Sequence, residues 1–171
     1  MKKILLIAAL AACLSSCGGN KEGAAATAEA DSTATAAQAQ APATKSAEEV
    51  AKLIAAMPRT DIGIIQLNAD SVLMPGIGLD KVTIVDFSAT WCVPCKRFAP
   101  EFESVASHNT AKANFISADV DLVPFSANAF GIKGVPTVVI IDKSGKVVKQ
   151  FEGIEEIYPA SAFSKAIEPY L

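Results

Sequence analysis

Residues 82–96, Val82-Thr83-Ile84-Val85-Asp86-Phe87-Ser88-Ala89-Thr90-Trp91-Cys92-Val93-Pro94-Cys95-Lys96, decide how the rest of the chain reads. Val82 to Phe87 is a β-branched, almost continuously apolar run bounded by turn chemistry, the pattern of a central strand buried on both faces. The cysteines follow that strand directly and open a helix. At a helix N-terminus, unpaired N–H groups and the positive end of the macrodipole stabilise an anion, so the thiolate of Cys92 is favoured. Two intervening residues bring the sulfur of Cys95 close enough to attack a mixed disulfide on Cys92. Cys92 is thus expected to be the exposed nucleophile and Cys95, one turn in and more buried, the resolving thiol. Pro94 costs little near a helix start, where its missing N–H would lack a helical partner. Asp86 is a carboxylate in an apolar strand; an unpaired buried charge is costly, so its pKa should rise.

A lone Cys-x-x-Cys can also be half of a zinc site. Zinc would need two further ligands, and outside the pair the domain offers no cysteine and one histidine, His108, which reads as a solvated residue near a helix end. No metal site is expected.

Working outward, Phe98, Phe102 and Val105 fall at helical spacing, with Pro100 inside the helix as a source of a kink. Residues 114–120 read as a strand, and residues 123–130 as a short helix ended by Gly131. Residues 137–141 and 147–151 form a hairpin about Lys143-Ser144-Gly145, and a helix from about 159 to 170 closes the chain. Upstream, Ser46 and Glu49 form a capping-box pattern before Val50, Leu53, Ile54 and Met57, in a helix stopped at Pro58. Ile62, Ile64, Ile65 and Leu67 suggest a first strand, and residues 68–81 fit no regular pattern. The resulting order predicts an α/β fold, a mixed sheet with helices on both faces.

These residues carry a resemblance. VDFSATWCVPCKRFAP (85–100) resembles the active-site strand and helix of thioredoxin, and FGIKGVPTVVIIDKSGKVVKQFEG (130–153) resembles its second half, with the cis-proline loop at Val135-Pro136. The resemblance spans roughly residues 60 to 171 and implies a thioredoxin-like fold. It implies that Cys92, Cys95, Asp86 and Pro136 are the catalytic set, with Asp86 relaying a proton to or from Cys95. It further implies that Pro136 is cis and packs against the disulfide, and that the Val135 backbone pairs with an extended substrate segment. Trp91, Val93 and Pro94 would join Val135 and Pro136 in the substrate groove; Trp91 and Phe87 read first as packing residues. Lys96 and Arg97 read as solvated, and Gly153 either as a turn glycine or as one that admits a partner backbone. Two positions depart from the family pattern. Ser117 stands where a lysine often accompanies the aspartate, and Ser88 where an aromatic residue is common, which leaves Asp86 without a cation and easier to protonate.

Met1-Lys2-Lys3 followed by the apolar run from Ile4 to Leu14 has the form of a secretory signal too short to span a membrane. Leu14-Ser15-Ser16-Cys17 resembles the lipobox of bacterial lipoproteins, although Leu10-Ala11-Ala12-Cys13 fits the same short pattern. Cleavage before Cys17 would leave an acylated N-terminal cysteine, and Gly18 after it resembles lipoproteins passed to an outer membrane. Residues 18–44 contain no Leu, Ile, Val, Met or aromatic side chain and cannot enter a core. As a flexible coil they would reach about 30 Å. The expected organisation is a signal peptide at 1–16, a lipidated tether at 17–44 and a thioredoxin-like domain at 45–171.

At 51% hydrophobic and 19% charged, 171 residues can support a packed core, which excludes whole-chain disorder, and a net charge of −3 gives no electrostatic footprint for nucleic acid. The reading that follows is a monomeric, lipid-anchored thiol:disulfide oxidoreductase on the periplasmic side of the cell envelope. It resembles TlpA/ResA-type envelope reductants, including those serving cytochrome c maturation. It would act on protein disulfides or dithiols, draw electrons from a membrane donor or pass them to an oxidant, and need no cofactor beyond the cysteine pair. A disulfide oxidase or isomerase using the same site, and a redox-inactive adaptor, are the alternatives.

Overall fold

A computed structural model describes residues 45–171; the signal-like segment, Cys13, Cys17 and the tether lie outside the described residues. The elements are α1 (Ala47–Ala55), β1 (Ile65–Leu67), β2 (Val82–Ser88), α2 (Val93–Asn109), β3 (Ala113–Asp119), α3 (Pro124–Ala129), β4 (Thr137–Ile141), β5 (Val147–Glu152) and α4 (Ala160–Ile167). The five strands form one sheet in the order β1-β3-β2-β4-β5. The first three are mutually parallel, while β4 runs antiparallel to β2 and to β5. The apolar strand read from the sequence is therefore the middle one.

Side chains alternate across a strand, and β2 distributes its own between two cores. Val85 and Phe87 join Ile65, Leu67, Ile116 and Val139 on the face covered by α1 and α3. Ile84 joins Phe115, Val138 and Ile140 on the face covered by α2 and α4. The second core is tied together by Phe98, Phe102, Phe115 and Phe163, with ring centroids 5.3–6.2 Å apart in mostly tilted or edge-on pairs. Such pairs add roughly 0.5–1.5 kcal/mol each beyond the area they bury. Asp86 shares the parity of Ile84, so the same alternation puts it on the face under α2.

The capping pattern forms as expected: the Glu49 N–H donates to Ser46 Oγ at 3.2 Å. Val50, Ile54 and Met57 are buried in the first core, so this helix belongs to the domain. The closing helix is shorter than expected. It ends at Ile167 and tightens into a 3₁₀ turn over Glu168–Tyr170, where Pro169 has no N–H to continue the α-helical ladder.

Residues 68–81 hold their place through individual contacts instead of a repeating pattern. Val72, Leu73 and Leu79 are buried in the first core. Gly76 donates its N–H to the Gly145 carbonyl at 2.8 Å, and a side chain on Gly145 would lie 2.5 Å from the backbone of Gly76 and Ile77, so this crossing requires glycine. Asp70 caps α3 from a distance in sequence, accepting from the N–H groups of Ser126 at 2.9 Å and Phe125 at 3.0 Å. It also accepts from Ser71 at 2.8 Å. Partial burial opposes its charge, yet these donors together hold its carboxyl below the usual carboxylate range.

Because the folded state lowers this pKa, the cap is fully present above the ordinary carboxylate pKa and is lost as pH falls through the folded value. Asp70→Ala should cost about 1–2 kcal/mol at pH 7. Urea unfolding as a function of pH should show that difference shrinking in acid; a difference that does not change with pH would mean the carboxylate is not the cap.

Candidate active site

The C-terminal end of β2 delivers the chain into α2 through residues 89–91, and Cys92 becomes the N-cap. Its sulfur accepts the Cys95 N–H at 3.1 Å, the place an Asp or Ser oxygen usually takes at a helix start. The two cysteines form a disulfide with their Cα atoms 5.3 Å apart. Cys92 Sγ also lies 3.6 Å from the carbonyl oxygen of Val135, across from the Val135-Pro136 peptide, which is cis. In the disulfide the sulfur has no proton to donate; the reduced thiol would have one, with this carbonyl as acceptor.

The expected contrast in exposure between the two cysteines is not found. Cys92 and Cys95 are both only 4% exposed, packed among Ala89, Val120 and Val135. The cap and the packing act together: to receive the Cys95 N–H, the Cys92 side chain turns toward the first turn of α2, where Val120 and Val135 from other segments pack over the pair. The cysteines differ in their surroundings. Cys92 has the helix N–H and the Val135 carbonyl, while Cys95 faces a pocket that also contains Asp86.

Asp86 is 4% exposed, and its Oδ1 has no hydrogen-bond partner among the described residues. Burial pushes its pKa up from the ordinary carboxylate value to about 7. The register places Ser117 beside it on β3 and Val138 beside it on β4, so neither flanking strand supplies a cation. Lys96 does line the pocket, but its side chain is exposed, and desolvation is the sole cause of the shift.

The cis-proline loop is fixed from both sides. Thr137 Oγ1 donates to the Gly134 carbonyl at 2.8 Å, and the Gly153 N–H donates to the Pro136 carbonyl at 2.9 Å. Gly153 has φ +79°, a conformation that side chains rarely adopt, so the turn itself accounts for the glycine.

The reading of Trp91 as a packing residue is corrected: it is 65% exposed. Its indole N–H donates to Asp121 at 2.8 Å, which holds the ring against a cavity of about 190 Å³ bounded by Val120, Ile132, Gly134 and Val135. Asp121 lies 30 residues away, and no local pattern marks it in the sequence. Phe87 does pack, fully buried on the opposite face and 5.6 Å from the Phe130 ring. Val93 and Pro94 are exposed beside Trp91, Val135 is half-buried and Pro136 is buried. Of the two basic residues, Arg97 lies over the Tyr158 ring at 5.4 Å and Lys96 borders the pocket. His108 is exposed, hydrogen-bonded to the Ser104 carbonyl at 2.8 Å, and remote from the cysteines.

A thioredoxin family model matches residues 71–166. Thioredoxin 2 of Chlorobaculum tepidum is 38% identical over 92 residues, covering 54% of this chain and 81% of that protein. The thioredoxin of Staphylococcus saprophyticus is 38% identical over 90 residues, 53% of this chain and 83% of the relative. Among solved structures, the thioredoxin of Malassezia sympodialis superposes with a TM-score of 0.51 at 30% identity, over 61% of this chain and 88% of that one. A mutant thioredoxin from Halobacterium salinarum gives 0.53 at 28% identity, over 66% and 95%. This chain, with its buried middle strand leading into a cysteine-capped helix opposite a cis proline, belongs to the thioredoxin family of disulfide oxidoreductases, whose redox centre is a cysteine pair that needs no external cofactor.

Proposed function

We propose that this protein is a lipid-anchored thiol:disulfide oxidoreductase of the cell envelope that reduces disulfides in exported proteins. The observation that carries the chemistry is the Cys92 sulfur held by the Cys95 N–H at the start of α2, beside the half-buried Val135. In the reduced enzyme that N–H and the helix dipole stabilise the Cys92 thiolate. The thiolate attacks one sulfur of a substrate disulfide, the other leaves as a thiolate, and a mixed disulfide joins Cys92 to the substrate. Cys95 gives its proton to the Asp86 carboxylate and attacks Cys92 Sγ. The enzyme disulfide forms, and the second substrate sulfur departs reduced. Trp91, Val93, Pro94 and the Val135 backbone bind an extended segment of the substrate around the disulfide, with Pro136 shaping the loop.

Anchoring rests on the lipobox-like Leu14-Ser15-Ser16-Cys17 and the coreless tether at 18–44, which would place the domain at the periplasmic side of a membrane, with the outer membrane favoured by Gly18. Electrons would come from a membrane donor, and the reduction potential of the cysteine pair against that donor sets the direction.

Reduced protein should cleave insulin disulfides with dithiothreitol as electron source, and Cys92→Ser should abolish turnover. Cys95→Ser should accumulate a mixed disulfide through Cys92, visible by mass spectrometry. Turnover in Cys92→Ser would sink the proposal. Membrane fractionation tests the anchor separately: the native chain should sediment with membranes and Cys17→Ser should not, whereas an unchanged distribution would rule Cys17 out.

Asp86 connects stability to turnover. Its folded pKa lies above the unfolded value, so the stability of the neutral form is complete below about pH 4 and is lost as pH rises through about 7. Asp86→Asn should therefore be more stable than the native protein at pH 8, by up to about 4 kcal/mol, with the gap closing in acid. The same substitution should slow resolution of the mixed disulfide about 100-fold and remove the inflection near neutral pH from its rate profile, measured by stopped flow. Unaltered resolution would exclude Asp86 as the proton acceptor.

A further inference from the structure

Six large hydrophobic side chains are exposed among the described residues, and they fall into two groups. Leu53, Val148 and Tyr158 are 37–38% exposed. Trp91, Val93 and Leu122 are 62–68% exposed, and all three stand at the end of the sheet that carries the cysteines. Solitary exposed hydrophobics are ordinary, whereas several at one place mark a surface kept for a partner. Trp91 and Val93 flank Cys92 and belong to the substrate groove. Leu122 lies outside both sequence motifs that mark the site.

The turn that carries Leu122 is rigidly built. The Asp119 carbonyl accepts the N–H groups of Leu122 and Val123, both at 3.0 Å, and the Asp119 carboxylate accepts that of Asp121 at 2.9 Å. The Val120 N–H donates to the Ser88 carbonyl at 2.9 Å, which ties the turn to the loop ahead of Cys92. Val123 is fully buried while Leu122 turns outward. Asp121, its chain neighbour, is the residue that holds the Trp91 indole. Leu122 also lines a cavity of about 320 Å³ with Thr90 and Lys96, and this cavity has no lining residue in common with the groove of Trp91 and Val135. The exposed apolar surface therefore runs on past Trp91, from the groove on one side to Leu122 on the other.

We propose that Leu122 is a specificity-determining contact for protein substrates: it takes an apolar side chain of the substrate beside the disulfide, next to the segment bound along Trp91 and Val135. This deepens the reading of the protein as an oxidoreductase acting on protein disulfides, by naming the class of surface it prefers, and it rests on that reading. The occupant follows from continuity with the groove and from the chemistry of the contact. An apolar side chain fixed on a turn loses little freedom when covered, so little of the gain from its burial is offset. A polar or charged substrate residue would lose its hydration against it and gain no partner. A small disulfide reaches Cys92 without covering Leu122, so the preference applies to polypeptides alone.

The test mixes the prereduced full chain with two cyclic disulfide peptides, one with leucine on both sides of each cysteine and one with serine there, and separately with bis(2-hydroxyethyl) disulfide. Timed acid quench, alkylation and mass spectrometry give the second-order rate of enzyme oxidation by each. The native chain should favour the leucine peptide about tenfold, close to what covering a leucine of this exposure can yield. Leu122→Ser should lower that preference to about twofold and leave the rate with bis(2-hydroxyethyl) disulfide within about twofold, while Leu122→Met should keep the preference. Leu122→Gln, closer to leucine in size, takes the place of the serine variant if that one fails to fold. A native chain that does not discriminate, a preference that survives in the polar variant, or an equal loss with the small disulfide overturns the inference. Failure of the native chain to react with any of the three would instead overturn the oxidoreductase reading.

Discussion

The hydrogen bond from the Cys95 N–H to the Cys92 sulfur joins the fold to its chemistry. An oxygen-bearing side chain would usually close the start of a helix of this kind. Here a sulfur does so, and the closure sets three things together: where α2 begins, which sulfur is favoured as an anion and, with Val120 and Val135 packed over it, why that sulfur is as buried as its partner. The arrangement needs a rigid base, which β2 supplies by lying in the centre of the sheet with neighbours on both sides. The cis-proline loop faces the cap across the site and is itself held by Thr137 and Gly153. A shift of the helix start by one residue would take the sulfur away from both the N–H and the Val135 carbonyl.

Asp86 shows the opposite economy. A hydrophobic residue in the middle strand would serve the core better, and the carboxylate is tolerated only because it can remain neutral. That neutrality is gained by burial alone, and the site is left with a group able to take and return a proton near neutral pH. The small side chains at Ser88 and Ser117 leave room in front of it, so the polar group that weakens the core is also the floor of a cavity reaching Cys95.

Much of this is legible in the sequence because it is written locally. The β-branched run at 82–87, the capping pattern at Ser46 and Glu49, the hairpin glycine and the spacing of the phenylalanines each depend on neighbours within a few residues. The cysteines, Asp86 and Pro136 are legible for a related reason: they sit in two contiguous motifs. What is not legible depends on contacts between distant segments. Asp121 meets Trp91 across 30 residues, Asp70 reaches α3 across 55 or more, and residues 68–81 follow the shape of what they cover rather than a period of their own. The burial of Cys92 is hidden for the same reason: helix position predicts which sulfur is stabilised, whereas exposure depends on the loops that close over it.

The borrowed cap on α3 bears on how the molecule breathes. A helix of six residues cannot persist by itself, because so short a segment barely recovers the cost of nucleation. Its first turn is held by a carboxylate from the connection between β1 and β2, while Ala127 from the same helix helps to line the cavity beside Trp91. The connection and the helix therefore open and close as one cooperative unit, with their amides exchanging together while the central strands stay protected. A substrate segment bound against Trp91 and Val135 would slow exchange not only along the groove but also in residues 70–73, which it never touches.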